Sequence, residues 1–303
     1  MTTPRCQLVD PENALFYHLV SRCVRRSWLC GYDRQTRRDY SHRKEWLVRR
    51  IKQLGAAFAV DVYTYAVMSN HFHLIVYHDP KAPLRWSDEE VADRWLQVCP
   101  PKLADGTIDE ALREFERNQL LSDPSRIEAV RRKLGSVSTF MKLLKQPIAR
   151  RANQEDGCTG HFFEQRFYSG ALLGEETILA AMAYVDLNPI RAKIAKSIAT
   201  AKHTSIYERL RTAPTSLDSY IQPIVAGTGT DASVKITLRA YIERLEVLTP
   251  STAPTWTEDQ LKRWRGQVFS LRKRQRVFGP ESLIKVWIEE RGWRMREDPL
   301  PIA

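Results

Sequence analysis

Residues 65–77, YAVMSNHFHLIVY, constrain this chain more than any other stretch. They read as the facing parts of two strands, residues 58–68 and 71–77, that meet at a tight turn on Ser69-Asn70. Side chains alternate along a strand, so His71, His73, Ile75 and Tyr77 share one face while Phe72, Leu74 and Val76 share the other. Two residues along one face span about 6 to 7 Å, from a rise of about 3.3 Å each, which lets both imidazoles lean toward one divalent ion. The alternative is two polar residues on a strand's solvent face.

The flanking text completes a strand-helix-strand-strand order. Residues 15–24, LFYHLVSRCV, have strand composition, and residues 37–54 place Trp46, Leu47 and Ile51 at helical spacing, with Gly55 expected to end that helix. The strongly basic stretch from Arg22 to Arg50 carries Arg22, Arg25 and Arg26. Residues 88–128 then hold eleven acids against five Lys/Arg, which predicts a solvent-facing insertion kept away from phosphates. Residues 131–154 reverse the sign, with no acid. Val137, Phe140, Met141, Leu144 and Ile148 there form the apolar stripe of a helix that Pro147 should kink. Its Lys142, Lys145, Arg150 and Arg151 face either a phosphate backbone or water.

Residues 161–173 are again strand-like. Gly174, Glu175 and Glu176 open a helix expected from Thr177 to about Asn188, with Pro189 as its stop. Ile178, Met182 and Val185 form its buried stripe, and Tyr184 and Asn188 lie one turn apart on an adjoining one. Residues 214–229 read as a linker. Residues 262–276, KRWRGQVFSLRKRQR, interleave Lys262, Arg263, Arg265, Arg272, Lys273 and Arg274 with aromatics, as a nucleic-acid accessory module or a solvated helix face would.

Charge supports an anionic partner, since 47 Lys+Arg against 36 Asp+Glu give +11. The five cysteines are scattered with no Cys-x-x-Cys, so neither a disulfide framework nor a zinc ribbon is indicated and a reducing cytoplasm is expected. The first residues lack a hydrophobic signal core, and no apolar run is long enough for a membrane span, so no membrane role is expected.

A divalent ion held by two neutral histidines wants an oxygen ligand, which Asn188 could supply. A tyrosine beside that ion becomes a nucleophile for a phosphodiester, and Tyr184 is placed for the role if its helix lies over the strand. A 5′-phosphotyrosine retains the bond energy, so the reaction can rejoin a different strand.

Three pieces carry a family resemblance: Asn70-His71-Phe72-His73, residues 160–167 (GHFFEQRF) and residues 184–192 (YVDLNPIRA). Together they resemble the REP-associated branch of the HUH-type single-tyrosine transposases over about residues 14–210, with a weaker piece at residues 204–207 (TSIY). The resemblance implies an α+β fold, a ferredoxin-like antiparallel sheet flanked by helices, here with an acidic insertion at about 85–130 and a basic, mainly helical accessory region at 211–303. It also implies binding of single-stranded or hairpin DNA, Mg²⁺- or Mn²⁺-dependent cleavage, and a cytoplasmic, nucleoid-associated protein. By position, His71 and His73 would be metal ligands, Asn188 the third ligand and Tyr184 the nucleophile; Arg166 and Arg191, within the matched pieces, join the DNA-contacting cations. The family often has Trp where Phe163 stands, and the insertion and the tail lie outside its pattern.

Two other readings compete. A non-catalytic regulator binding hairpin DNA or RNA would have no chemical need of His71, His73 and Tyr184, and a zinc hydrolase would show His-Glu-x-x-His or cysteine ligands. Tyr168 is the rival nucleophile, although a strand tyrosine beside Phe167 more often packs.

Overall fold

The computed structural model describes residues 4–24, 29–33, 37–164, 166–212, 217–230, 234–249 and 256–292. Arg25 and Arg26 lie outside them. The β-branched and aromatic runs form β1 (Leu15–Arg22), β2 (Val60–Val67), β3 (His71–His78) and β4 (Tyr168–Leu172). Between β1 and β2 runs α1 (His42–Ala57), and between β3 and β4 come α2 (Asp88–Val98), α3 (Glu110–Leu121), α4 (Pro124–Leu134) and α5 (Val137–Asp156). After β4 follow α6 (Glu175–Asp186), α7 (Asn188–Arg191), α8 (Ser205–Arg211), α9 (Leu238–Glu246) and α10 (Glu258–Ser270). A short strand, β5 (Val277–Phe278), and α11 (Glu281–Glu289) close the described chain.

The strands lie in the order β2-β3-β1-β4-β5. With α1 and α5 as the two connecting helices, the first four make the β-α-β-β-α-β pattern of a ferredoxin-like sheet. Those four pair antiparallel, whereas β5 lies parallel to β4, with Ala171 opposite Val277 and Leu172 opposite Phe278. The sheet is therefore mixed rather than wholly antiparallel, because the C-terminal region supplies its edge strand.

Pleat alternation divides the interior into two cores. On one face Phe72, Leu74 and Val76 meet Leu47 and Ile51 of α1 and Phe140, Met141 and Leu144 of α5. On the other, Ile75, Leu172 and Phe278 meet Leu179, Met182 and Val185 of α6. Trp264 and Val268 of α10 belong to that second core, so α6 is buried nearly all round and shows no simple amphipathic stripe.

Several local expectations need correction. The acidic segment is no solvent-facing appendage: Val91, Ala92, Leu96, Leu120, Ile127 and Val130 are buried and continue the core of α1 and α5. Its acids ride on the outer faces of amphipathic helices, and that core lies on the sheet face opposite His73. Gly55 does not end α1, which runs to Ala57; a Cβ there would sit 3.1 Å from Val62 and 3.2 Å from Val225, so the glycine marks close packing on the sheet edge. The basic helix begins only at Val137, since Ser136 caps it by accepting from the Thr139 amide and Gly135 separates it from α4. It then runs unbroken through Pro147.

Pro189 likewise fails to stop the chain's helicity. α6 ends at Asp186 and Pro189 sits in the first turn of α7, where its missing N–H has no helical partner to lose. The supposed linker is held firmly among its described residues: Val62 donates to the Val225 carbonyl at 2.9 Å, and buried Asp61 accepts from the Gly227 and Thr228 amides at 2.6 and 2.8 Å. These contacts cover the β2 edge, an arrangement that turn-prone composition cannot reveal.

Candidate active site

Register brings the candidate residues together. Opposite β3, Arg22 faces His71, Val20 faces His73 and His18 faces Ile75, so His18 stands diagonally next to His73 on the same side of the sheet. From β4, Tyr168 faces Val20 and Gly170 faces His18. α6 packs on β2, β3 and β4 and brings Tyr184 against His18 and His73.

The result is a closely packed aromatic cluster. His18 and His73 lie with near-parallel rings, centroids 5.1 Å apart, and His18 Nε2 lies 2.8 Å from His73 Nδ1 in a hydrogen bond. The Tyr184 ring meets both edge-on, at 5.8 Å from His73 and 5.9 Å from His18. His71 packs 4.8 Å from His73, and its Nδ1 is hydrogen-bonded to Asn70 Oδ1 at 2.6 Å. Two cations close the cluster: the Arg191 guanidinium lies 4.5 Å above the Tyr184 ring and 5.2 Å from Phe269 of α10, and Arg274 lies 5.7 Å from the Tyr168 ring.

Burial sets the charge state. His18 and His73 are 1 % and 4 % exposed, too enclosed for an imidazolium to keep its hydration. Desolvation, with Arg274 and His71 nearby, lowers His18 to about 3, and desolvation with Arg22 and Arg274 lowers His71 to about 4. His73 is held well below the usual range, chiefly by burial and then by its histidine neighbours. All three are neutral at pH 7, the form in which an imidazole nitrogen can bind a cation.

Whether these residues suit a divalent ion rests on their nitrogens. His73 Nε2 is buried without a hydrogen-bond partner, and with Nδ1 of His71 tied to Asn70, the Nε2 of that ring carries the lone pair. Two such nitrogens fit a cation. Among the described residues, however, no group of three or more His, Cys, Asp or Glu has the arrangement to hold a metal. Further ligands would therefore be of another kind, and Asn188, buried at the start of α7, carries an amide oxygen.

The two tyrosines differ in their surroundings. Tyr168 donates its hydroxyl to the Gln275 carbonyl, and burial pushes its phenol up. A Cβ at residue 170 would sit 2.3 Å from that hydroxyl, so Gly170 makes room for the clamp. Tyr184 has the two histidines on one side and Arg191 on its face.

The remaining predicted cations divide by location. Lys142, Arg150 and Arg151 belong to α5, on the opposite sheet face from the histidines, and Arg151 stacks 3.8 Å from Trp46. Lys145 reaches toward the His71 end, donating at 2.7 Å to the carbonyl of Glu164, whose own amide binds the Arg22 carbonyl. Arg166 is exposed. Lys262, Arg263, Arg265, Arg272 and Lys273 are also exposed, on or just after α10. His18 escaped the sequence reading. Its signal was the shared parity of His18 and Arg22 in LFYHLVSR, but linking that face to His73 requires the β1-β3 register.

Fold and site together define an α+β protein whose ferredoxin-like sheet carries a neutral histidine cluster beneath a helix-borne tyrosine and arginine. No family model matches the sequence, and no curated protein matches it. Among solved structures, a REP-associated tyrosine transposase bound to a REP hairpin is similar at 12% identity and a TM-score of 0.32, over 70% of this chain and 90% of that chain. The likeness is weak and partial.

Proposed function

We propose that the protein cleaves single-stranded DNA beside a hairpin and rejoins it by strand transfer, with Tyr184 as nucleophile. The observation that carries this reading is the Tyr184 ring, 5.8 Å from neutral His73 and 5.9 Å from His18, with Arg191 stacked on its face. In the reaction the phenol oxygen attacks phosphorus and gives up its proton, and the 3′ oxygen leaves and takes one up. The product is a 5′-phosphotyrosine and a free 3′-hydroxyl. Attack by a 3′-hydroxyl on that ester reverses the step and joins the strands.

His71, His73 and Asn188 would hold Mg²⁺ or Mn²⁺, which when bound polarises the phosphoryl group and favours the phenolate. Arg191, 4.5 Å over the Tyr184 ring, holds a positive charge beside the phosphoryl group that this tyrosine would attack. The buried Nη1 of Arg191 and Nη2 of Arg274 have no hydrogen-bond partner, which suits donors kept for phosphate oxygens. Residues 14–210 would form the catalytic domain, with 211–303 as an accessory region whose exposed cations follow the DNA backbone. Among the described residues no helix is long and apolar enough to cross a membrane.

The test is a denaturing gel of end-labelled hairpin DNA with a single-stranded flank, incubated with Mg²⁺, with Mn²⁺ or with chelator, beside a native gel that reads binding. Metal-dependent cleavage, and joining when a second 3′-hydroxyl strand is added, is expected. Tight binding with no cleavage under either metal would instead support a non-catalytic regulator.

A further inference from the structure

His18 has no place in the chemistry so far, yet it makes the one hydrogen bond that its cluster gives to His73. Each neutral imidazole carries one proton, and the contact between His18 Nε2 and His73 Nδ1, at 2.8 Å, needs a single proton between them. Two arrangements satisfy it. If His18 donates, the proton of His73 sits on Nε2, buried with no acceptor, and the His18 Nδ1 lone pair is stranded as well. If His73 donates, its Nε2 presents a bare lone pair, and the proton of His18 moves to its own buried, unpartnered Nδ1. The protein leaves two nitrogens unsatisfied either way, so internal hydrogen bonding does not choose between the tautomers. A cation at His73 Nε2 accepts only the second.

We propose that His18 is a positioning residue for His73: it accepts the Nδ1 proton, and so fixes the ring's orientation and turns the Nε2 lone pair outward as a ligand. This rests on the reading of His73 as a metal ligand. The near-parallel ring planes, 19° apart, suit an in-plane hydrogen bond between the two nitrogens, and His18 does not compete for the ion because its own acceptor nitrogen is already engaged. Partners of this kind on metal-binding histidines set both tautomer and basicity, and losing one typically weakens metal affinity about 10- to 100-fold.

The experiment compares wild type, His18→Phe, His18→Gln and His73→Ala in the full chain. Mn²⁺ affinity is read from the free-ion electron paramagnetic resonance signal, and the His73 tautomer from long-range ¹H–¹⁵N correlations in the protein loaded with diamagnetic Mg²⁺. His18→Phe keeps an aromatic ring but offers no acceptor, and is expected to bind Mn²⁺ about 10- to 100-fold more weakly. His18→Gln can accept through its amide oxygen and should recover most of that loss. In metal-bound wild type the His73 proton should reside on Nδ1. His18→Phe binding Mn²⁺ as tightly as wild type would overturn the positioning role alone, whereas His73 carrying its proton on Nε2 in the bound state would overturn its reading as an Nε2 ligand as well. Wild type and His73→Ala taking up Mn²⁺ equally poorly would overturn the metal reading and this role with it.

Discussion

A histidine that stays neutral at pH 7 is available to a cation, whereas an exposed one is partly protonated as conditions drift toward its ordinary range. His71 and His73 gain that neutrality from burial, helped by their charged and histidine neighbours, and the pleat that aims them was legible in HFHLIVY from alternation alone. What the sequence could not supply was the neighbour. His18 stands 55 positions from His73 in the chain, and only the β1-β3 pairing places them side by side. The pair His71 and His73 is expected to matter for chemistry more than for binding, because affinity for nucleic acid rests mainly on phosphate contacts. His71→Ala should therefore lose cleavage beyond the ~10- to 100-fold typical of an outer-shell partner while keeping most hairpin affinity. Gel cleavage and fluorescence anisotropy on the same preparation check this, and full cleavage by the variant would contradict it.

At the scale of elements, α6 holds the tyrosine in place, and its C-terminal anchor is Asp186. Its carboxylate accepts from Ser205 Oγ at 2.7 Å, the Ile206 amide at 3.1 Å and Tyr241 Oη at 2.7 Å, tying α6 to the start of α8 and to α9. The TSIY piece of the sequence is thus a clamp: Thr204 caps α8 and Ser205 meets Asp186. An acid in the middle of YVDLNP gave no sign of this, since its partners lie 19 to 55 positions away. Full burial outweighs the three hydrogen bonds and raises the carboxyl from 3.8 to about 6. A raised folded value means that the stabilising contribution is complete below pH 3.8 and is lost as pH rises through about 6. Asp186→Asn cannot titrate, and both chains share the opposing histidine titrations. The stability advantage of wild type over Asp186→Asn should accordingly shrink between pH 4 and pH 7, on the order of 3 kcal/mol from the shift. Urea unfolding at a series of pH values measures it, and a constant or growing difference would be the contrary result.

For the whole molecule, the division of the sheet into two faces decides which cations can serve the site. α5 and the acidic helices occupy the face away from the histidines, while α10 and β5 lie on or beside the face that carries them. Charge runs were readable in the sequence, but the side of the sheet to which each belongs was not, because both basic helices show the same local pattern. The tract from Lys262 to Arg276 also contains buried Trp264 and Val268, so deleting it would strip the core over α6. Substituting the exposed Lys262, Arg263, Arg265, Arg272 and Lys273 by Ser tests its charge instead. Affinity for single-stranded hairpin DNA should fall and the salt slope should flatten by about 0.7 for each phosphate no longer neutralised, with the cleavage rate of bound DNA little changed. An unaltered slope would make this surface a solvated face only.

The central claim is that Tyr184 becomes bonded to DNA, and peptide mapping of the protein–DNA adduct tests it most directly. Wild type incubated with single-stranded hairpin substrate and Mn²⁺ is digested, and the tyrosine carrying the nucleotide remnant is located by mass spectrometry. The expected product is an SDS-stable, protease-sensitive adduct through the 5′ phosphate on the peptide holding Tyr184. The same adduct should form in Tyr168→Phe, since the Tyr168 hydroxyl is spent on Gln275, and none should form in Tyr184→Phe, which loses one oxygen and little packing. An adduct on Tyr168 or any other residue, or one that survives in Tyr184→Phe, would contradict the claim.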